Sequence, residues 1–106
     1  MKKIYIASPY SKGDKEANVR RQMETANRLL DAGLAPFIPL LFHYQHTTFP
    51  RPYEDWLELD IEWLRCCDYI LRLAGESEGA DIEVAMVVKL NIPIYYSVDD
   101  LIKELT

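Results

Sequence analysis

The chain has 106 residues, with 12 Lys plus Arg against 17 Asp plus Glu, a formal net charge of −5 and 49% hydrophobic residues. That composition excludes a disordered chain, and one domain of this size, residues 1–106, buries roughly two-thirds of its unfolded surface without disulfides or a structural metal. No apolar run approaches the ~18 residues that span a bilayer, and the acidic balance argues against a nucleic-acid polymer or a membrane as partner.

The segment KKIYIAS, near the N-terminus, reads as a short strand ending in the turn-rich SPYSKGD. The opening MKKIYIASPYS lacks the long apolar stretch and cleavage site of a signal peptide. From Lys15 to Ala32, Val19, Met23, Ala26 and Leu30 recur at helical spacing, and Gly33 follows where a C′ glycine belongs. APFIPLL reads as a second strand, broken by Pro36 and Pro39 and so near an edge. Residues 43–52 read as a loop, and a helix is expected from Tyr53 to about Cys67. CDYILRLA is a third strand and GESEGA a polar turn. A helix over Asp81–Leu90, a strand in IPIYYSV and a short helix in DDLIKELT complete the chain.

This alternation predicts an α/β fold: a small doubly wound, flavodoxin- or Rossmann-like parallel sheet of four to five strands with helices on both faces. Ligands of such sheets bind beyond the carboxyl ends of the strands, which marks SPYSKGD and GESEGA.

Cysteine and histidine give little chemistry. Cys66 and Cys67 are adjacent and form no CxxC motif, so they read as small apolar residues in a reducing, cytoplasmic setting. His43 and His46 have no third metal ligand close in sequence and read as loop or rim residues; no metal site is expected.

Two carboxylates sit where apolar residues belong. On a helical wheel of residues 54–67, Glu54, Glu58, Glu62 and Arg65 share one side, while Asp60 falls in the apolar arc between Trp56, Trp63 and Leu64. Glu83 has Met86, Val87 and Leu90 at i+3, i+4 and i+7. A lone carboxylate is costly to bury, so each is either a capping group or a functional one. A first-turn Glu is favoured by the helix dipole, but that does not explain a Glu on the apolar face. Two inward carboxylates at one sheet edge suggest chemistry on a glycosidic bond. The turn Ser77-Glu78-Gly79 offers a hydroxyl and free N–H groups for an anion or a sugar hydroxyl.

IYIASPYS, DIEWLRCCDYIL and SEGADIEVA, in that order, resemble the nucleoside 2-deoxyribosyltransferase superfamily, especially its small branch that includes 2′-deoxynucleoside 5′-phosphate N-hydrolase. The resemblance covers most of the chain. It implies that Glu83 is the nucleophile, that Tyr5 orients it, and that Asp60 contacts the sugar or assists proton transfer. It places substrate contacts on Ala7, Ser8, Tyr10 and Ser11 after the first strand and on Ser77 and Gly79 after the third. Ser77 stands where the transferases have Asp and the nucleotide hydrolase has Ser. The hydrolase's phosphate-contacting Ser and Arg align with Pro9 and Ser11, leaving Tyr10, Ser11, Lys12 and Arg20 as the groups available here. The chain is shorter than the characterised enzymes.

The resemblance further implies a small-molecule nucleoside or nucleotide substrate, no cofactor, and a homodimer or larger homo-oligomer that completes the site. The expected reaction is cleavage of an N-glycosidic bond, by hydrolysis or transfer to a second base. The alternative expectation is a module that binds a nucleotide-derived ligand without cleaving it.

Overall fold

The computed structural model describes residues 1–106. Its elements in chain order are β1 (Lys3–Ala7), α1 (Lys15–Asp31), β2 (Ala35–Phe37), a 3-10 turn (Pro39–Leu41), α2 (Phe42–Thr48), α3 (Tyr53–Leu64), β3 (Tyr69–Arg72), α4 (Glu78–Leu90), β4 (Ile94–Tyr95) and α5 (Val98–Leu105). The four strands form one parallel sheet in the order β2-β1-β3-β4, so β2 is an edge, as its prolines require. Chain direction across the sheet reverses between β1 and β3. The loops that leave these two strands therefore flank the crevice where such sheets hold ligands.

Alternation along β1 supplies both faces of the sheet. Ile4 and Ile6 pack with Ala26 and Leu29 of α1, Leu71, Leu73 and Leu101 of α5. Tyr5 and Ala7 point the other way, to Leu64, Ile70, Ala80 and Val87 under α3 and α4. No helix is long and apolar enough to cross a membrane.

Several boundaries differ from the sequence reading. APFIPLL is a strand only as far as Phe37; Pro39 then opens a 3-10 turn, because its missing N–H cannot join a ladder but suits a first helical position. Residues 43–48, expected as part of a loop, belong to α2 (Phe42–Thr48), whose Thr47 and Thr48 hydroxyls donate back to the Tyr44 carbonyl. On α1 the inward face is Val19, Gln22, Ala26 and Leu29, while Met23 and Leu30 are exposed, one position away from the expected stripe. α3 ends at Leu64, short of Cys67. α4 begins at Glu78 instead of Asp81, because the Ser77 side chain caps it by accepting from the Ala80 N–H at 3.1 Å.

One close approach locks the two crevice loops together. Gly75, after β3, has φ +123°, and a Cβ there would stand 2.7 Å from Pro9 Cγ of the loop after β1. Only glycine fits that backbone and that gap.

Candidate functional site

At the carboxyl ends of the strands lies a cavity of about 430 Å³, within the range of small-molecule sites. Its floor carries Asp60 of α3 and Glu83 of α4; Ser8, Tyr10, Ser11 and Lys12 line one wall and Ser77, Gly79 and Ala80 the other. The third wall, from the 3-10 turn, α2 and α3, includes Phe42, His43, His46 and Trp56.

Glu83 is 7% exposed and Tyr5 fully buried behind it. The Tyr5 hydroxyl donates to Glu83 Oε2 in a very short hydrogen bond, so strand and helix meet through this pair. With α4 starting at Glu78, Glu83 is in the second turn, beyond reach of the helix dipole that a first-turn position would have supplied. Its charge is held instead by the Tyr5 hydroxyl and by Arg72, while burial works against it. Burial dominates and the carboxyl is pushed up to about 7.

Asp60 is raised further, to about 8, by burial first and then by the neighbouring Glu83 charge. Its Oδ1 is buried without a hydrogen-bond partner in the protein. Asp60 also lines the cavity, so an acid with an unmet hydrogen-bond position stands at the edge of a pocket, the setting expected of a functional carboxyl. Burial thus raises both acids, to about 7 and about 8, and the Glu83 charge adds to the rise of Asp60, so the pair shares a proton near neutral pH.

Buried polar groups fix the walls. Gln22 of α1 donates to the Ile6 carbonyl at 3.1 Å and to Ser8 Oγ at 2.8 Å, and its Oε1 accepts from Leu40 N at 2.9 Å. One side chain therefore ties α1 to the start of the β1 loop and to the 3-10 turn. Asn18 donates to the carbonyls of Tyr10 and Lys12 at 2.9 and 2.8 Å and sets the rest of that loop. His43 bridges Tyr10 and Glu16: its Nε2 faces Glu16 Oε1 at 2.8 Å and so carries hydrogen, leaving Nδ1 for the Tyr10 hydroxyl. Trp56 Nε1 donates to His46 Nδ1 at 2.8 Å, and the Trp56 ring stacks on Phe42 with centroids 5.6 Å apart. Phe37 links this wall to the floor, stacked on Tyr5 at 5.6 Å and on Trp63 at 5.3 Å.

The expected site residues thus distribute unevenly. Glu83, Asp60, Ser8, Tyr10, Ser11, Ser77 and Gly79 line the cavity. Tyr5 reaches it only through Glu83. Ala7 does not line it: strand alternation turns its methyl into the core beside Leu64, Ile70 and Ala80, and its carbonyl accepts from Leu73 N. Arg20, one of the groups the sequence offers for an anion, pairs with Glu24 on the outer face of α1. Of the two expectations for His43 and His46, loop or rim, the loop is replaced by α2, and both side chains line the cavity. Arg72 was not anticipated; it is buried on β3, donates to the Gly75 carbonyl at 2.8 Å and lies 3.3 Å from Asp81. Its only sequence signal was a charge inside an otherwise apolar strand. No three His, Cys, Asp or Glu side chains gather to hold a metal ion.

Residues 2–97 match the model of a family described as Domain of unknown function (DUF7768), and the chain belongs to that family. No curated protein matches it. Among solved structures it is similar to a 2-deoxyribosyltransferase from the psychrotolerant bacterium Bacillus psychrosaccharolyticus. That likeness has a TM-score of 0.60 and 20% identity, and covers 87% of this chain and 69% of the other. At that identity what is shared is the fold.

Proposed function

We propose that this DUF7768 member cleaves the N-glycosidic bond of (deoxy)nucleosides or their 5′-monophosphates, with Glu83 as nucleophile. The observation that carries the reading is one cavity at the sheet's switch point, where Glu83, held by Tyr5, and Asp60, bare on one oxygen, face the same space. The shared fold with a 2-deoxyribosyltransferase supports the substrate class, and the three sequence motifs support the small hydrolase branch.

The chemistry follows from the two acids. Ionised Glu83 attacks C1′ of the sugar, and the C1′–N bond breaks with its electron pair leaving on the base. Asp60, carrying the pair's shared proton in this step, gives it to the departing base or holds a sugar hydroxyl while solvent protonates the base. The product of this step is a glycosyl ester on Glu83. Water then attacks C1′, its proton passing to the Asp60 carboxylate where Asp60 protonated the base and to solvent where solvent did, and the sugar leaves while Glu83 is restored. A second base in place of water makes the same intermediate a transfer reaction. Tyr5 keeps Glu83 in line and lowers its basicity, which favours departure of the ester in the second step.

In this reading the base packs beside the wall formed by Phe42, Trp56, His43 and His46, and the sugar lies toward Ser77 and Gly79. As in the small branch, we propose a homo-oligomer with neighbouring subunits completing the site. The test is incubation with a panel of nucleosides and their 5′-monophosphates, followed by chromatography for free base. Release that disappears in Glu83→Gln supports the reading. Saturable binding without release supports a ligand-binding module instead, and neither binding nor release removes both.

A further inference from the structure

The mouth of the cavity carries a hydroxyl that the mechanism above does not use. Tyr53 opens α3 and Gly79 lies in the first turn of α4, so two helix N-termini meet above Glu83 and Asp60. A Cβ built on Gly79 would stand 3.2 Å from the Tyr53 hydroxyl oxygen, tighter than ordinary contact. Gly79 has no positive φ, so no backbone constraint demands glycine there. In a helix, glycine costs about 1 kcal/mol relative to alanine, which calls for a compensating reason at this position. The reason the geometry offers is room for the tyrosine hydroxyl.

That hydroxyl has no settled partner within the protein. Tyr5 donates to Glu83 and Trp56 to His46, but Tyr53 makes no comparable bond. The residue is 55% exposed, its ring open at the mouth while its hydroxyl feels the burial and the carboxylates of Glu83, Glu78 and Asp60, which keep it protonated. An O–H donor at the mouth of a cavity that also holds two acids, without a partner in the protein, matches a sugar oxygen. The base belongs at the aromatic wall beyond.

We infer that Tyr53 is a further substrate-contacting residue, its hydroxyl donating to an oxygen of the sugar held over Glu83, and that position 79 is glycine to leave that hydroxyl its place. The inference rests on the proposed nucleoside chemistry and adds a specificity residue to it.

The experiment is a kinetic cycle on the best-cleaved nucleoside of the panel, with Tyr53→Phe, Gly79→Ala and the double variant, each checked for an unchanged melting temperature. Loss of one neutral hydrogen bond predicts a fall in kcat/KM of about tenfold in Tyr53→Phe, carried mostly by KM. Gly79→Ala should lose a smaller factor, roughly three- to fivefold, by pushing the hydroxyl a few tenths of an ångström from its place. The double variant should be no worse than Tyr53→Phe alone, because with the hydroxyl gone the added methyl meets nothing. A purely structural role for either residue would move the melting temperature and give losses that multiply. Single variants within twofold of wild type, or multiplying losses, overturn the inference while leaving the function standing. If the wild type binds nucleosides without cleaving them, the same cycle is read on Kd from tryptophan fluorescence, with the same expected pattern. A wild type that neither cleaves nor binds any of the panel overturns the functional reading first, and this inference with it.

Discussion

The two faces of the sheet divide the labour. Toward α1 and α5, Ile4, Ile6, Leu29, Leu71, Leu73 and Leu101 bury apolar surface, and the one buried amide there, Gln22, has all its bonds made. Toward α3 and α4, the same strands carry Tyr5 and Arg72, and α4 adds Glu83. Apolar burial is worth roughly 25 cal/mol per Å², whereas a buried carboxylate costs free energy unless partnered. The first face is therefore almost purely apolar packing, and the second, with its own core of Leu64, Ile70, Ala80 and Val87, gives up part of that stability to hold two acids beside the cavity. A chain this small has only one sheet on which to do both, and alternation along β1 separates the roles by a single residue.

The sharpest way to break that division is to remove one key group from each face. Glu83→Gln keeps the shape of the side chain and removes the nucleophile; we expect base release to fall by about a thousandfold or more, with the melting temperature kept or raised. Leu29→Ala, across the sheet, should cost about 3 kcal/mol of stability by leaving a cavity, measured by denaturant unfolding. Its kcat, per folded molecule, should stay within about twofold of wild type. A Leu29 variant that is stable but inactive would show that the faces are not independent.

Within the second face, Tyr5→Phe separates positioning from attack. Without the hydroxyl, Glu83 loses a bond that stabilises its charged form, so its carboxyl should move above its value of about 7. The rate of base release should fall roughly 10–100-fold at neutral pH. In wild type, activity needs Glu83 ionised and Asp60 protonated, so kcat/KM against pH should form a narrow bell between about 7 and about 8. In Tyr5→Phe the acid limb should shift upward and the bell narrow further. A broad plateau from pH 5 to pH 9 in wild type would falsify the shared-proton assignment.

The sequence was most readable where periodicity is the signal. Strand alternation, the helix of α1 and the edge position of β2 follow from side-chain spacing and proline. Asp60 and Glu83 stood out because each broke an apolar pattern. What stayed hidden was polar and long-range. Gln22 is buried because three partners on different elements satisfy it, and nothing within α1 announces those partners. The registers of Met23 and Leu30 were misjudged for the same reason, since Gln22 occupied an inward position normally reserved for an apolar residue. α2 escaped notice because FHYQHTT lacks an apolar stripe and has no buried residue; it is held by contacts made through His43 and through the stacking of Phe42. Ala7 was assigned to the site by its place in a motif, yet the parity of the strand turned it into the core.

The smallest expected effect tests the cost that the second face bears. Asp60 is raised to about 8 in the folded protein, against 3.9 or so in an unfolded chain. Between those values the folded state holds a proton that the unfolded state has released, so stability falls as pH rises through this window and is flat above it. The contribution is fully present below about pH 4 and gone above about pH 8. Asp60→Asn removes the titration, so variant and wild type should melt alike at low pH and diverge as pH rises. Above pH 8 the variant should be more stable by about 1–2 kcal/mol, a value discounted because Asp60 is only partly buried. It should also be slower in base release, since the proton donor is lost. A variant that is less stable at high pH would mean that Asp60 is a structural capping group, and the second face would then owe its acids to the fold and not to the site.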